Sequence, residues 1–85
     1  MTKSLRSEGH IALINALIEA RKAKNMTQAE LASLLSCHQS FVARIESGQR
    51  RVDVSELVIL SRALDVDASV LLAKVSGAVP LGARI

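Results

Sequence analysis

Five residues between positions 39 and 47 combine small or hydrogen-bonding side chains with a helical spacing. On a helical wheel with about 100° per residue they share one side, and apolar residues occupy the other. The five are Gln39, Ser40, Ala43, Arg44 and Ser47, opposite Phe41, Val42 and Ile45. An exposed helix more commonly carries Glu and Lys outward, whereas these side chains are short or forked and bear no negative charge. Such a face suits direct hydrogen bonding to another surface.

The side chains of this face match the hydrogen-bonding pattern of the major groove of double-stranded DNA. Glutamine can bind adenine through two hydrogen bonds, and arginine can bind the two acceptors of guanine. Ser40 can reach several bases, and Ala43 can touch the methyl group of thymine. The alternative is an ordinary polar helix face, and the wheel alone does not separate the two interpretations.

Local signals define the helix that carries this face and the helix before it. Thr27 and Glu30 have the spacing of a capping box, which predicts a second helix over residues 28–35. Ser36 and Cys37 then form a turn. The third helix is predicted over residues 39–47, where Gly48 ends it.

Three further helices are predicted around this pair. The first covers residues 8–24, where apolar residues recur at helical spacing. Asp53 and Glu56 form a second, acidic cap that opens the fourth helix, residues 54–64. With a fifth helix after Asp67 and no convincing strand pattern, the sequence predicts a compact all-α domain of five helices.

The fifth helix is expected to end before Gly77 and Pro80, since both interrupt helical structure. This gives three segments: an N-terminal extension over residues 1–10, the domain over residues 11–75 and a tail over residues 76–85. The tail is either frayed, as termini usually are, or an arm that docks Val79, Leu81 and Ile85 on a partner subunit.

Composition limits the chemistry of this 85-residue chain, of which 49% is hydrophobic and Phe41 is the single aromatic residue. The core must therefore be aliphatic, and the aromatic stacking used on single-stranded nucleic acid is absent. Residues 1–26 carry a net charge of +3, residues 27–52 of +1 and residues 53–85 of −1. A basic N-terminal two-thirds favours a polyanionic partner on one face.

Several classes of protein are disfavoured. The lone Cys37 fits a reducing cytosol and leaves no disulfide within the chain, and a partly buried turn residue is favoured over a thiol sensor. No apolar run approaches the ~18 residues that a bilayer requires. His10 is interpreted as a surface residue, and no acid–base pair, activated nucleophile or metal-ligand spacing is present. We therefore expect no enzyme, cofactor or metal, and a cytoplasmic location.

Taken together, these motifs resemble the lambda-repressor-like helix-turn-helix family of Cro and xenobiotic-response-element type regulators. The match extends from about residue 11 to residue 72. Ala32 stands where the family has a small residue between its helices, and residues 39–48, Gln-Ser-Phe-Val-Ala-Arg-Ile-Glu-Ser-Gly, are similar to its recognition helix. Three departures from the family pattern occur: Ser36 and Asp65 replace common glycines, and Val52 replaces a frequent proline.

The resemblance implies roles for individual residues. Gln39, Ser40 and Arg44 look like the base readers, with Ala43 beside them. Gln28 looks like a residue that binds a phosphate and braces the start of the third helix. Arg21 and Glu46 match an ion pair that ties the first helix to the end of the third.

Further phosphate contacts are expected around the recognition helix. His38 stands at its start and Ser47 at its end, and Gln49, Arg50 and Arg51 follow directly on a loop. Phosphate contacts of this kind supply affinity and fix the register without reading sequence. The alternative for the loop is a solvated basic segment.

These features predict a sequence-specific regulator that binds double-stranded DNA as a homodimer on a palindromic operator. One recognition helix reads too few base pairs for genomic selectivity, and a dyad doubles the number. The dimer interface is expected on the fifth helix, through Val70, Leu71, Leu72 and Val75. The alternative is a protein-interaction module or antitoxin-type partner that keeps the fold, and a protein partner that controls activity fits either interpretation.

Overall fold

Five helices follow one another along residues 7–85, the part of the chain that this computed structural model describes. They are α1 (Glu8–Ala23), α2 (Gln28–Leu35), α3 (Gln39–Glu46), α4 (Val54–Ala63) and α5 (Ala68–Ala78). No residue from 7 to 85 lies in a strand. The all-α prediction is confirmed. The expected N-terminal extension lies largely outside the described residues, and α1 already begins within it.

Capping side chains determine where α2 and α4 begin. The Thr27 hydroxyl accepts from the amide of Glu30 at 3.0 Å, and the Glu30 carboxylate accepts from the amide of Thr27 at 2.8 Å. Asp53 and Glu56 repeat this arrangement at 2.8 and 2.9 Å. These bonds to Thr27 lower the pKa of Glu30. Both predicted capping boxes are therefore formed.

The turns between helices place three side-chain-bearing residues in the left-handed region: Asn25, Ser36 and Asp65, with φ of 54°, 56° and 57°. Gly48, after α3, has φ of 82°. At Ser36 and Asp65 the backbone keeps the conformation that a glycine would adopt freely. Serine tolerates it at a cost of about 1 kcal/mol.

The core consists of aliphatic side chains from all five helices. Ile45, Leu64, Leu71 and Val42 are the largest side chains that solvent does not reach. α1 lies along α5, and α2 packs against α3. Leu71 is therefore a core residue, and its expected place in a dimer interface is wrong. Val75 is partly buried against the same core.

The end of α5 also differs from the prediction, because the helix continues through Gly77 to Ala78. A glycine inside a helix costs about 1 kcal/mol relative to alanine, and this does not outweigh the packing of α5 on α1. That packing is close at Gly9, where a Cβ atom would lie 2.8 Å from a methyl group of Val79. Val79 thus contacts its own chain, while Leu81 and Ile85 are fully exposed.

Candidate nucleic-acid interface

α3 separates its polar and apolar residues as the wheel predicts. Val42 and Ile45 are 1% and 2% exposed and face the core. Gln39, Ser40 and Arg44 are exposed, and Ala43 is half-buried between them. A rigid helix therefore presents the three polar side chains together, over a buried half that fixes its position.

A chain of polar side chains holds α3 at both ends. Arg21 donates to both carboxylate oxygens of Glu46, at 2.7 and 3.0 Å. Glu46 also accepts from the amide of Gln28 at 2.9 Å, and Gln28 accepts from the amide of Gln39 at 2.6 Å. The chain connects α1, the start of α2 and both ends of α3.

The ion pair in this chain is almost buried, since the side chains of Arg21 and Glu46 are 11% and 7% exposed. The hydrogen bonds from Arg21 to Glu46 raise the pKa of Arg21 further above its ordinary value. A third bond runs from Arg21 to the carbonyl of Met26 at 2.7 Å. The ion pair implied by the family resemblance is thus present, and its remaining hydrogen bonds offset the desolvation of the charges.

Gln28 braces α3 as expected, because its side-chain amide bonds Glu46 with the nitrogen and Gln39 with the oxygen. Each amide nitrogen carries two hydrogens, so Gln28 and Gln39 both retain one donor. Base reading by Gln39 and phosphate binding by Gln28 stay predictions.

In the loop after α3, Arg50 has an ion-pair partner within the protein. Arg50 uses both terminal nitrogens on the carboxylate of Glu56, at 2.9 and 2.6 Å. Gln49 and Arg51 are exposed. The charge of Arg50 is therefore paired within the protein, and phosphate binding by Gln49, Arg50 and Arg51 stays a prediction.

The two residues that flank α3 stay candidates for phosphate contacts. His38 precedes the helix, is exposed and makes no side-chain capping bond. Ser47 follows the helix, is exposed and donates its hydroxyl to the carbonyl of Arg44 at 3.3 Å. Both residues are therefore open to solvent, one at each end of α3.

His10 is a residue whose surroundings the sequence did not reveal. Its Nε2 atom is buried and has no hydrogen-bond partner among residues 7–85. Burial, and then the charge of Arg51, lower the pKa of His10, while the backbone of Arg50 acts in the opposite direction. The start of α1 thus lies against the 49–51 loop, and the interpretation of His10 as a surface residue is wrong. No sequence signal could have shown this contact, because it joins segments about forty positions apart.

The expected dimer residues divide into two groups. Val70 and Leu72 are 48% and 57% exposed, whereas Leu71 is in the core. On α4, Ile59 is 52% exposed and is a further apolar candidate that the sequence interpretation left out.

Residues 7–85 contain neither a metal-binding cluster nor a membrane-spanning helix. The histidine, cysteine, aspartate and glutamate side chains there form no group of three that could hold a metal ion. None of the helices formed by these residues is both long and apolar enough to cross a bilayer.

Comparison with known proteins agrees with this geometry. A family model described as helix-turn-helix matches residues 17–71. The control protein C.SmaI from Serratia marcescens is 32% identical over 54 residues, which cover 64% of this chain and 64% of that relative. The chain thus matches a little less than two thirds of the relative's length.

Solved structures give the same result over more of the chain. An XRE-family like protein from Pseudomonas syringae is 40% identical with a TM-score of 0.77, over 85% of this chain and 88% of that one. The restriction-modification controller protein C.AhdI from Aeromonas hydrophila is 34% identical with a TM-score of 0.66, over 72% and 92%. The chain belongs to the lambda-repressor-like (XRE) helix-turn-helix family of DNA-binding transcription regulators.

Proposed function

We propose that this protein regulates transcription by reading the major groove of a double-stranded operator with α3. The observation that carries the proposal is the exposed trio of Gln39, Ser40 and Arg44 on a helix whose other half is buried. The hydrogen-bonded chain from Arg21 to Gln39 supports it further, because it fixes the helix before any ligand arrives. Readout of bases requires such a fixed arrangement.

Each exposed polar residue around α3 has a proposed role. Arg44 binds guanine, Gln39 binds adenine, and Ser40 and Ala43 contact neighbouring bases. Phosphate contacts come from residues at the edges of this face: Gln28, His38, Ser47, Gln49 and Arg51. These contacts position the helix without reading sequence.

The protein acts as a homodimer on a palindromic operator, in the cytoplasm where the nucleoid lies. One eight-residue recognition helix reads about five base pairs, and a dyad places two helices about one DNA turn apart. Val70 and Leu72 on α5 and Ile59 on α4 are large apolar side chains open to solvent. A second copy that covers them would remove their apolar surface from water.

Selection of bound duplexes from a random pool tests the proposal. We expect a palindromic consensus with half-site centres about 10 base pairs apart. The matched control replaces Gln39, Ser40 and Arg44 by alanine, which leaves the buried half of α3 intact. If the unmodified protein enriches no sequence over this control, the proposed function is wrong. Purification with a second protein and no duplex enrichment would favour the interaction-module alternative.

A further inference from the structure

The guanidinium of Arg50 lies at a junction between α3, α4 and the loop that joins them. Its terminal nitrogens donate to Oε1 and Oε2 of Glu56 at 2.9 and 2.6 Å. One of them also donates to the carbonyl of Arg51 at 2.7 Å. The guanidinium therefore fixes the loop to the first turn of α4.

The same guanidinium contacts the recognition helix through an aromatic ring. Its central carbon lies 4.4 Å from the centre of the Phe41 ring, within the range of a cation–π interaction. Phe41 is in the first turn of α3, between the exposed Ser40 and the buried Val42. Arg50 thus connects α3 to α4 through one planar group.

Glu56 has two functions at this junction. Besides pairing with Arg50, its carboxylate accepts from the amide of Asp53 as part of the α4 capping box. Hydrogen bonds from Arg50, and then the backbone bond to Asp53, lower the pKa of Glu56. The carboxylate stays ionised at neutral pH, and a DNA phosphate would repel it. Glu56 therefore has no direct attraction to the ligand.

We propose that Arg50 is a positioning residue for base reading, which sets the orientation of α3 relative to α4 through Glu56 and Phe41. This inference rests on the proposed function and refines it, since it assigns Arg50 to sequence specificity instead of to phosphate binding. The planar fork of arginine suits both contacts, and lysine can reproduce neither the two-bond pairing nor the stacking. Charge alone at position 50 is therefore insufficient.

Four single variants separate positioning from a phosphate contact: Arg50→Lys, Glu56→Gln, Glu30→Gln and Arg51→Gln. Each is measured for binding to the selected operator and to a scrambled duplex, over a range of salt concentrations. The specificity ratio is the affinity for the operator divided by the affinity for the scrambled duplex, and it reports how well α3 is oriented for base reading. The salt slope reports phosphate contacts.

Arg50→Lys keeps the charge, and we expect a specificity ratio about tenfold lower with an unchanged salt slope. Glu56→Gln should lower the ratio similarly, although removing a negative charge favours DNA binding in general. Glu30→Gln is the matched control, because Glu30 caps Thr27 in the same way without an arginine partner. It should keep the ratio. Arg51→Gln should lower the salt slope by about one unit and weaken both duplexes equally.

Amide chemical shifts of α3 provide a readout that needs no DNA. In folded Glu56→Gln protein, the shifts of residues 40–44 should move, whereas those residues should keep their shifts in Glu30→Gln. Unmoved shifts, or a wild-type ratio in both Arg50→Lys and Glu56→Gln, would overturn the inference and leave the proposed function standing. No sequence preference in the unmodified protein would overturn both.

Discussion

α3 and α5 bury similar apolar residues and expose opposite chemistry. α3 places Val42 and Ile45 in the core and carries glutamine, serine and arginine outward. α5 places Leu71 in the core and leaves Val70 and Leu72 exposed. Since the buried halves are alike, packing alone does not distinguish the two helices. The exposed halves do, because one suits the hydrogen-bonding edges of DNA and the other suits a protein surface.

The two helices also differ in how they are held. Polar groups hold α3 through the Arg21–Glu46 pair and the two glutamines. Close aliphatic packing holds the end of α5, where Gly9 admits Val79. Polar bracing is directional and fixes an orientation, whereas apolar packing mainly contributes stability. The difference is consistent with the proposed roles, in which α3 orients side chains for base reading and α5 presents a surface to a second copy.

The largest effect is expected from a substitution that breaks the polar bracing of α3. Arg21→Ala leaves the carboxylate of Glu46 nearly buried without its partner, and we expect a loss of about 3–5 kcal/mol in the free energy of unfolding. Urea denaturation measures it. Lys24→Ala is the control, because Lys24 pairs with Asp65 at 3.7 Å on the surface, where a pair contributes at most about 1 kcal/mol. Equal losses in both variants would contradict the bracing role.

The next effect tests the apolar exposed half of α5. Leu72→Glu should weaken dimerisation by about 3 kcal/mol, since each of two copies loses the burial of a leucine. Sedimentation equilibrium without DNA measures the dissociation constant. Leu34→Glu on α2 is a matched control, because Leu34 is 60% exposed and Leu72 is 57% exposed. If both variants dimerise like the unmodified protein, the interface lies elsewhere.

The polar exposed half of α3 is tested by Arg44→Ala. We expect binding to the selected operator to weaken by about 1–3 kcal/mol, together with relaxed preference at one base position. Competition binding with operators substituted at each position measures both quantities. Arg62→Ala removes the same charge from an exposed site on α4 and should retain the preference. Undiminished operator binding by Arg44→Ala would refute its base-reading role.

A smaller effect concerns pH at the 49–51 loop. Burial and the charge of Arg51 lower the pKa of His10 below its ordinary value of 6.5, so the folded chain resists a proton that the unfolded chain accepts. Stability should be complete above pH 6.5 and fall as the pH decreases towards the folded pKa. Denaturation between pH 5 and 8 should show this slope, and His10→Gln should reduce it. An unchanged slope in His10→Gln would assign it to other groups.

The parts of the structure that the sequence predicted are those that depend on neighbouring residues. Thr27 with Glu30, and Asp53 with Glu56, cap helices over three positions, so residue types and spacing suffice. The Arg21–Glu46 pair spans 25 positions, and the family resemblance supplied it. The division of α3 into two faces followed from periodicity alone.

The parts that the sequence missed depend on tertiary packing. The pairing of Arg50 with Glu56 was not predicted from its place in a basic loop, because the direction of its side chain depends on where α4 begins. Leu71 and Leu72 are adjacent and chemically identical, and only the angle of α5 against α1 buries one and exposes the other. Gly77 stays helical for the same reason. Local preferences are small beside such packing terms.

The bond between Gln28 and Gln39 has a thermodynamic consequence for association. At 2.6 Å it already confines the χ angles of Gln39 in the free protein, so much of its rotamer entropy is lost during folding. Ordering a side chain of this kind on complex formation costs about 0.5–1.5 kcal/mol. Calorimetry should accordingly show a less unfavourable binding entropy for this protein than for its Gln28→Ala variant.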